Sequence, residues 1–182
     1  MARKCFLFVI VIVAMLASTA CGGGASGGMS LERFRERYGE ISTAGFGDWT
    51  TRNAFAGSPH TLEVFRERYD DFRRNGFGDW TTRNAFAGSP HTLEVFRVRY
   101  DDFRINGFGD WSTRNAFAGS THTLEVFRER YNEFMRSGFG DWATRNAFAG
   151  SPHTLEVFRE RHSEISAAGF GDSFRRNRFA AS

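Results

Sequence analysis

An all-α fold of tandem helix-turn-helix units, stacked as a short α-solenoid, is predicted by three features of this 182-residue chain. The first is self-similarity. "TLEVFRERYDDFRRNGFGDWTTRNAFAGSPH", from Thr61 to His91, returns as near-copies from Thr92 and Thr123 and as altered copies from Ser30 and Thr154, at a period of 31. A fixed period of this size marks a stacked array rather than a mixed globular fold. The second is the spacing of Leu62, Phe65, Tyr69 and Phe72, which falls on one stripe of a helix. The third is the lack of any useful run that alternates with period two, which argues against strands.

The elements of one unit follow in order. A first helix runs to Asn75, started by Ser58-Pro59 or by Thr61 and ended at Asn75-Gly76. Its charged residues, Glu63, Arg66, Glu67, Asp70, Asp71, Arg73 and Arg74, fill the faces away from the apolar stripe. Arg66, Asp70 and Arg74 are four apart and can pair, at about 0.2–0.5 kcal/mol per pair. "GFGDW" then makes a sharp corner, because Gly76 and Gly78 reach backbone angles that a side chain resists. Asp79 is placed to cap a second, shorter helix, "WTTRNAFA", which Gly88 stops. Phe65, Phe72, Phe77 and Phe86 are expected inside, and Trp80 as well. Two helices of this size cannot bury so much aromatic surface alone, but stacked units form a continuous core. The signatures of tetratricopeptide and ankyrin repeats are both missing.

The repeat domain spans 29–182 as five units, 30–60, 61–91, 92–122, 123–153 and 154–182. The fifth copy has Ser173 where earlier units have Trp, and Arg178 where they have Ala85, Ala116 or Ala147. Nothing follows it, so these polar residues are expected to keep an open end of the stack soluble. On the same view, deleting Thr92 to His122 should remove one internal interface and leave the fold.

Residues 1–20 have the form of an export signal: "MARK", the apolar run "CFLFVIVIVAMLA" and a small-residue site. The apolar stretch falls short of the roughly 20 residues of a membrane-spanning helix. "LASTACGGGASGG" resembles the lipobox and Gly/Ser tether of a bacterial lipoprotein precursor, with Ser18 where that family usually has Leu. The resemblance implies cleavage before Cys21, acylation of Cys21 with diacylglycerol and a fatty acid such as palmitate, and 21–28 as a tether. It implies a chain held to the membrane by lipid at the cell envelope, on the outer membrane or cell surface. Cleavage after "STA" without lipid would leave a secreted protein. Either way Cys5 is lost and Cys21 alone remains, so a packed core and no disulfide must hold the fold.

Setting aside Arg3 and Lys4, the 24 basic residues fall to 22 against 21 acidic ones. That balance lacks the clustered basic excess of a nucleic-acid binder. His60, His91, His122 and His153 form a regular set before the helix starts, yet histidines on helices packed 8–10 Å apart do not converge on one ion. They are expected to be turn or cap residues, with no metal and no cofactor. Asp70-Asp71 and Asp101-Asp102 are adjacent on a helix and point apart, and HExxH, the phosphate-cradling loop and the EF-hand loop are all missing. The function expected is therefore that of a binding or structural module and not of an enzyme, with an unidentified envelope protein or glycan as partner. Its face would be the repeated Arg66, Asp70, Arg74, Arg97, Asp101 and Arg128. The alternative is a cell-wall or glycan-binding module using Trp49, Trp80, Trp111 and Trp142, although a Trp three residues after a Phe and opening a helix is expected to lie in the core. An enzyme with a spatially assembled site is third. Near-equal units offer repeated surfaces rather than one pocket.

Overall fold

The structure, a computed structural model, describes residues 28–75, 77–170 and 172–182. Every unit contributes two helices. The longer ones are α1 (Leu31–Thr43), α3 (Leu62–Asn75), α5 (Leu93–Asn106), α7 (Leu124–Ser137) and α9 (Leu155–Ala167). The shorter ones are α2 (Trp49–Ala56), α4 (Trp80–Ala87), α6 (Trp111–Gly119), α8 (Trp142–Gly150) and α10 (Ser173–Ala181). Among the described residues there is no strand, as the missing alternation implied. The export signal and Cys21 lie outside the described residues.

Local chemistry sets each boundary. Thr61 Oγ1 accepts from the Val64 amide at 3.3 Å, and the same cap recurs at Thr92, Thr123 and Thr154. Asp79 Oδ1 accepts from the amides of Thr81 and Thr82, which starts α4. The second glycine of the corner takes φ of 71°, 77°, 79° and 69° at Gly47, Gly78, Gly109 and Gly140, a region closed to most side chains.

The short helices form an inner layer in which α2 packs on α4, α4 on α6, α6 on α8 and α8 on α10; the long helices lie outside, each against the short helix of its own unit. Helix α10 then packs on α2, so the stack has no open end. Three sets of contacts show that this seam repeats the internal interfaces. Edge-to-face pairs join Phe55 to Phe65, Phe86 to Phe96, Phe117 to Phe127 and Phe148 to Phe158, at 5.4–5.5 Å and 71–76°. Phe179 and Phe34 make the same pair at 5.6 Å and 72°. A Cβ on Gly88 would lie 3.2 Å from the Ala54 carbonyl oxygen, one on Gly150 3.2 Å from that of Ala116, and one on Gly57 3.2 Å from that of Arg178. Arg130 donates to the His153 carbonyl at 2.6 Å, and Arg161 donates to that of Met29 at 2.8 Å, Met29 standing one period before His60.

The five units therefore close into a ring in register. Ser173 and Arg178 do not cap an exposed end, because α10, which carries them, packs on α2: Arg178 lies against Gly57, Arg175 Nη2 donates to Tyr38 Oη at 2.9 Å, and Phe174 packs edge-on to Trp49 at 5.4 Å. Each interface holds its own buried cluster. The one at the seam is Phe34, Ala56, Ile165 and Phe179. Phe65, Phe72 and Phe86 are buried as expected, and Phe77 is half-buried against Phe72 and Tyr100.

An arginine recurs once per unit at positions 37, 68, 99, 130 and 161, and it locks the two layers together. Its Nη2 donates to the carbonyl of Phe55, Phe86, Phe117, Phe148 or Phe179 at 2.7–3.0 Å. Its guanidinium also lies 4.1–4.3 Å over the same phenyl ring. A cation thus sits on the last carbonyls of each inner helix, where the macrodipole favours it. Burial lowers the pKa of all five.

Candidate axial binding site

Closure turns five similar faces inward upon one axis, which overturns the expectation that near-equal units offer no single pocket. The inner helices run parallel around that axis. Trp49 at the start of α2 meets Phe174 near the start of α10, while Gly57 at the end of α2 meets Arg178 in the second half of α10. Between them lies a cavity of about 440 Å³. Its wall is a stripe spaced four and three apart: Thr81, Ala85 and Gly88 from α4 and its cap, Ser112, Ala116 and Gly119 from α6, and Ala143, Ala147 and Gly150 from α8. Small side chains keep the axis open. In α10 the same stripe reads Phe174, Arg178 and Ala181, so the fifth unit projects the only large groups into the lumen from these positions. Thr50 and Ala54, next to that filled sector, are buried.

The tryptophans open the inner helices, so they gather at one mouth. Trp49, Trp80, Trp111 and Trp142 are 53, 48, 47 and 52% exposed, which corrects the expectation that they lie in the core. An N-terminal position on a short helix puts the indole at the rim, and Phe46, Phe77, Phe108 and Phe139 fill the inside of the corner instead. Trp111 and Trp142 line the cavity.

Inside, Arg178 is part-buried on the cavity wall, with its guanidinium 6.0 Å from the centre of the Phe174 ring. Burial lowers its pKa, and no carboxylate offsets that effect. No acidic residue lines the cavity among the described residues. Asn115 and Asn146 on the wall are each 5% exposed, and neither amide atom of either has a hydrogen-bond partner; Asn177 Oδ1 has none either. Sequence reasoning passed over these asparagines, which recur once per unit and so carried no distinguishing mark. Arg178 was visible as a departure from the repeat, but its meaning depends on closure.

The other candidates take structural places. Arg66, Asp70 and Arg74 flank an open furrow on the outside of α3. Asp70 pairs with Arg73 at 3.8 Å, and Asp101 with Arg104 at 3.4 Å, at three residues' spacing rather than four. Arg66, Arg97 and Arg128 lie 4.8–5.2 Å over Phe46, Phe77 and Phe108 of the preceding unit. Arg97 and Arg128 also donate to the Asn75 and Asn106 carbonyls, both at 2.8 Å. Nε2 of His60, His91, His122 and His153 donates to the carbonyl of Ser89, Ser120, Ser151 or Ser182 in the next turn of chain, at 2.6–2.9 Å. The histidines therefore form a ladder between units.

Neither a family model, nor a curated protein, nor a solved structure matches the chain.

Proposed function

We propose that this protein is an exported, lipid-anchored binding module of the cell envelope that holds glycan at the tryptophan-rimmed mouth of its axial cavity. The observation that carries this is the half-exposure of four tryptophans at equivalent positions, two of them on the cavity wall. Large aromatic surface left in water at one rim marks a ligand site. A sugar ring suits it, because its C–H face stacks on indole while its hydroxyls reach water. The cavity size falls within the roughly 300–1,000 Å³ of small-molecule sites.

Anchoring rests on "LASTACGGGASGG" and Cys21, outside the described residues. It agrees with the geometry of the seam. The Met29 amide lies 3.4 Å from the carbonyl of Ser182, at the end of α10, and the tryptophans lie at the opposite ends of the inner helices. Met29 thus lies on the side of the ring away from the tryptophan mouth, so a lipid anchor attached ahead of it would leave that mouth facing away from the bilayer.

Retention of the full chain on insoluble cell-wall glycan tests the proposal. Replacing Trp111 and Trp142 together with alanine should abolish retention, while replacing Arg97 and Arg128 together should leave it. Loss through the arginine pair alone would move binding to the outer face and overturn the reading.

A further inference from the structure

Four units place alanine at one inward position, Ala54, Ala85, Ala116 and Ala147, and the fifth places Arg178 there. Alanine shows what the ring needs structurally at that position, so the arginine is surplus to the fold. Burial takes hydration from its guanidinium, and the protein returns only the face of the Phe174 ring, 6.0 Å away, with no carboxylate on the cavity wall. The amide atoms of Asn115 and Asn146 are unpartnered too, but they are sealed from the lumen, and Asn84, which does not line the cavity, repeats them; they belong to the unit and not to the site. One cation in a lumen lined by no acidic residue among the described residues describes a complementary absent group: a small oxyanion.

We infer that the axial cavity takes a carboxylate-bearing sugar, with its carboxylate on Arg178 and its ring against Trp111 and Trp142. This rests on the glycan reading above and names the class of glycan. A guanidinium fork matches a carboxylate with two parallel hydrogen bonds, which a neutral hydroxyl cannot return. The carboxylates nearest the mouth, Asp48, Asp79, Asp110, Asp141 and Asp172, are engaged as helix caps and do not line the cavity. A single anion, rather than a repeated one, is expected, because only one of five equivalent positions carries the charge.

The test is a titration of the full chain, followed by intrinsic tryptophan fluorescence, with a hexuronic-acid oligosaccharide, the neutral hexose oligosaccharide of the same length and a hexose phosphate. The acidic oligosaccharide should bind about tenfold or more tightly than the neutral one. Arg178→Ala should bring the two to parity. This variant restores the residue of the other four units, and an unchanged helical spectrum confirms that it folds. Equal binding by the wild type, or a preference for acid that survives in Arg178→Ala, would overturn the inference while leaving glycan binding in place. A preference for the hexose phosphate over the uronic acid would overturn the carboxylate assignment. Absence of any response to all three saccharides would overturn the glycan reading and this inference with it.

Discussion

Replacing Phe34 and Phe179 with leucine, singly and together, probes closure of the ring through two residues that lie in its first and last units. Both side chains are fully buried, and their rings meet edge-to-face at 5.6 Å and 72°. Alanine at such a site would cost about 3–5 kcal/mol. Two such losses would consume most of the roughly 5–15 kcal/mol that holds a domain together. Leucine keeps most of the volume and should cost about 1–1.5 kcal/mol at each position. The geometry of the pair adds a coupling of about 0.5–1.5 kcal/mol beyond area burial. Urea denaturation of the wild type, both single variants and the double variant gives that coupling directly. The same cycle on Phe117 and Phe127, an internal pair at 5.5 Å and 76°, supplies the control. Closure requires the two cycles to agree within the 0.3–0.5 kcal/mol scatter of additive sites, roughly. Zero coupling at the seam beside a normal internal value would refute the ring.

Deletion of Thr92 to His122 should destabilise the chain far more than an open array allows, because four units must either close through a quarter-turn each instead of a fifth or leave the seam unmade; a midpoint shift confined to one lost interface would count against this. Arg99 donates to Phe117, Ser120 and His122, so Arg99→Met should cost roughly 1.5–3 kcal/mol, read by chemical denaturation, and a loss under about 0.5 kcal/mol would make the arginine ladder ornamental. Burial lowers the pKa of His60, His153 and His162 in the folded chain. The unfolded chain therefore binds protons that the fold resists, so stability should be full above about pH 6.5 and fall as the pH drops below it. Thermal melts at pH 8 and pH 5 check the sign, and an unchanged or higher midpoint at pH 5 would contradict it.

Much of the fold was legible in the sequence because each element is specified locally. Thr61, Asp79 and the corner glycines state where helices start and reverse, and the stripe from Leu62 to Phe72 states which face is buried. Closure was not legible, because it depends on the small rotation between successive units, which no single residue encodes. One clue stood in the register: Met29 occupies the place of His60 one period earlier, and Ser182 the place of Ser151 one period later, so these two residues belong to one turn of the ring. Arg178 and Ser173 were visible as departures from the repeat but were assigned to an open end, since an array with no seam has no lumen. The tryptophans were misplaced for a related reason. A Trp three residues after a Phe reads as core in a helix pair, but here the Phe fills the corner and the indole is carried to the rim of an inner layer.

The central claim is that ligand binds at the tryptophan mouth of a closed ring and not on its outer helices. The indole N–H signals of the four tryptophans in a ¹⁵N correlation spectrum report on it most directly. On titration of the full chain with a hexuronic-acid oligosaccharide, the account requires saturable shifts at Trp111 and Trp142, accompanied by the backbone amides of α6, α8 and α10. Shifts confined to α3, α5 and α7, around Arg66, Arg97 and Arg128, with all four indoles unmoved, would contradict it.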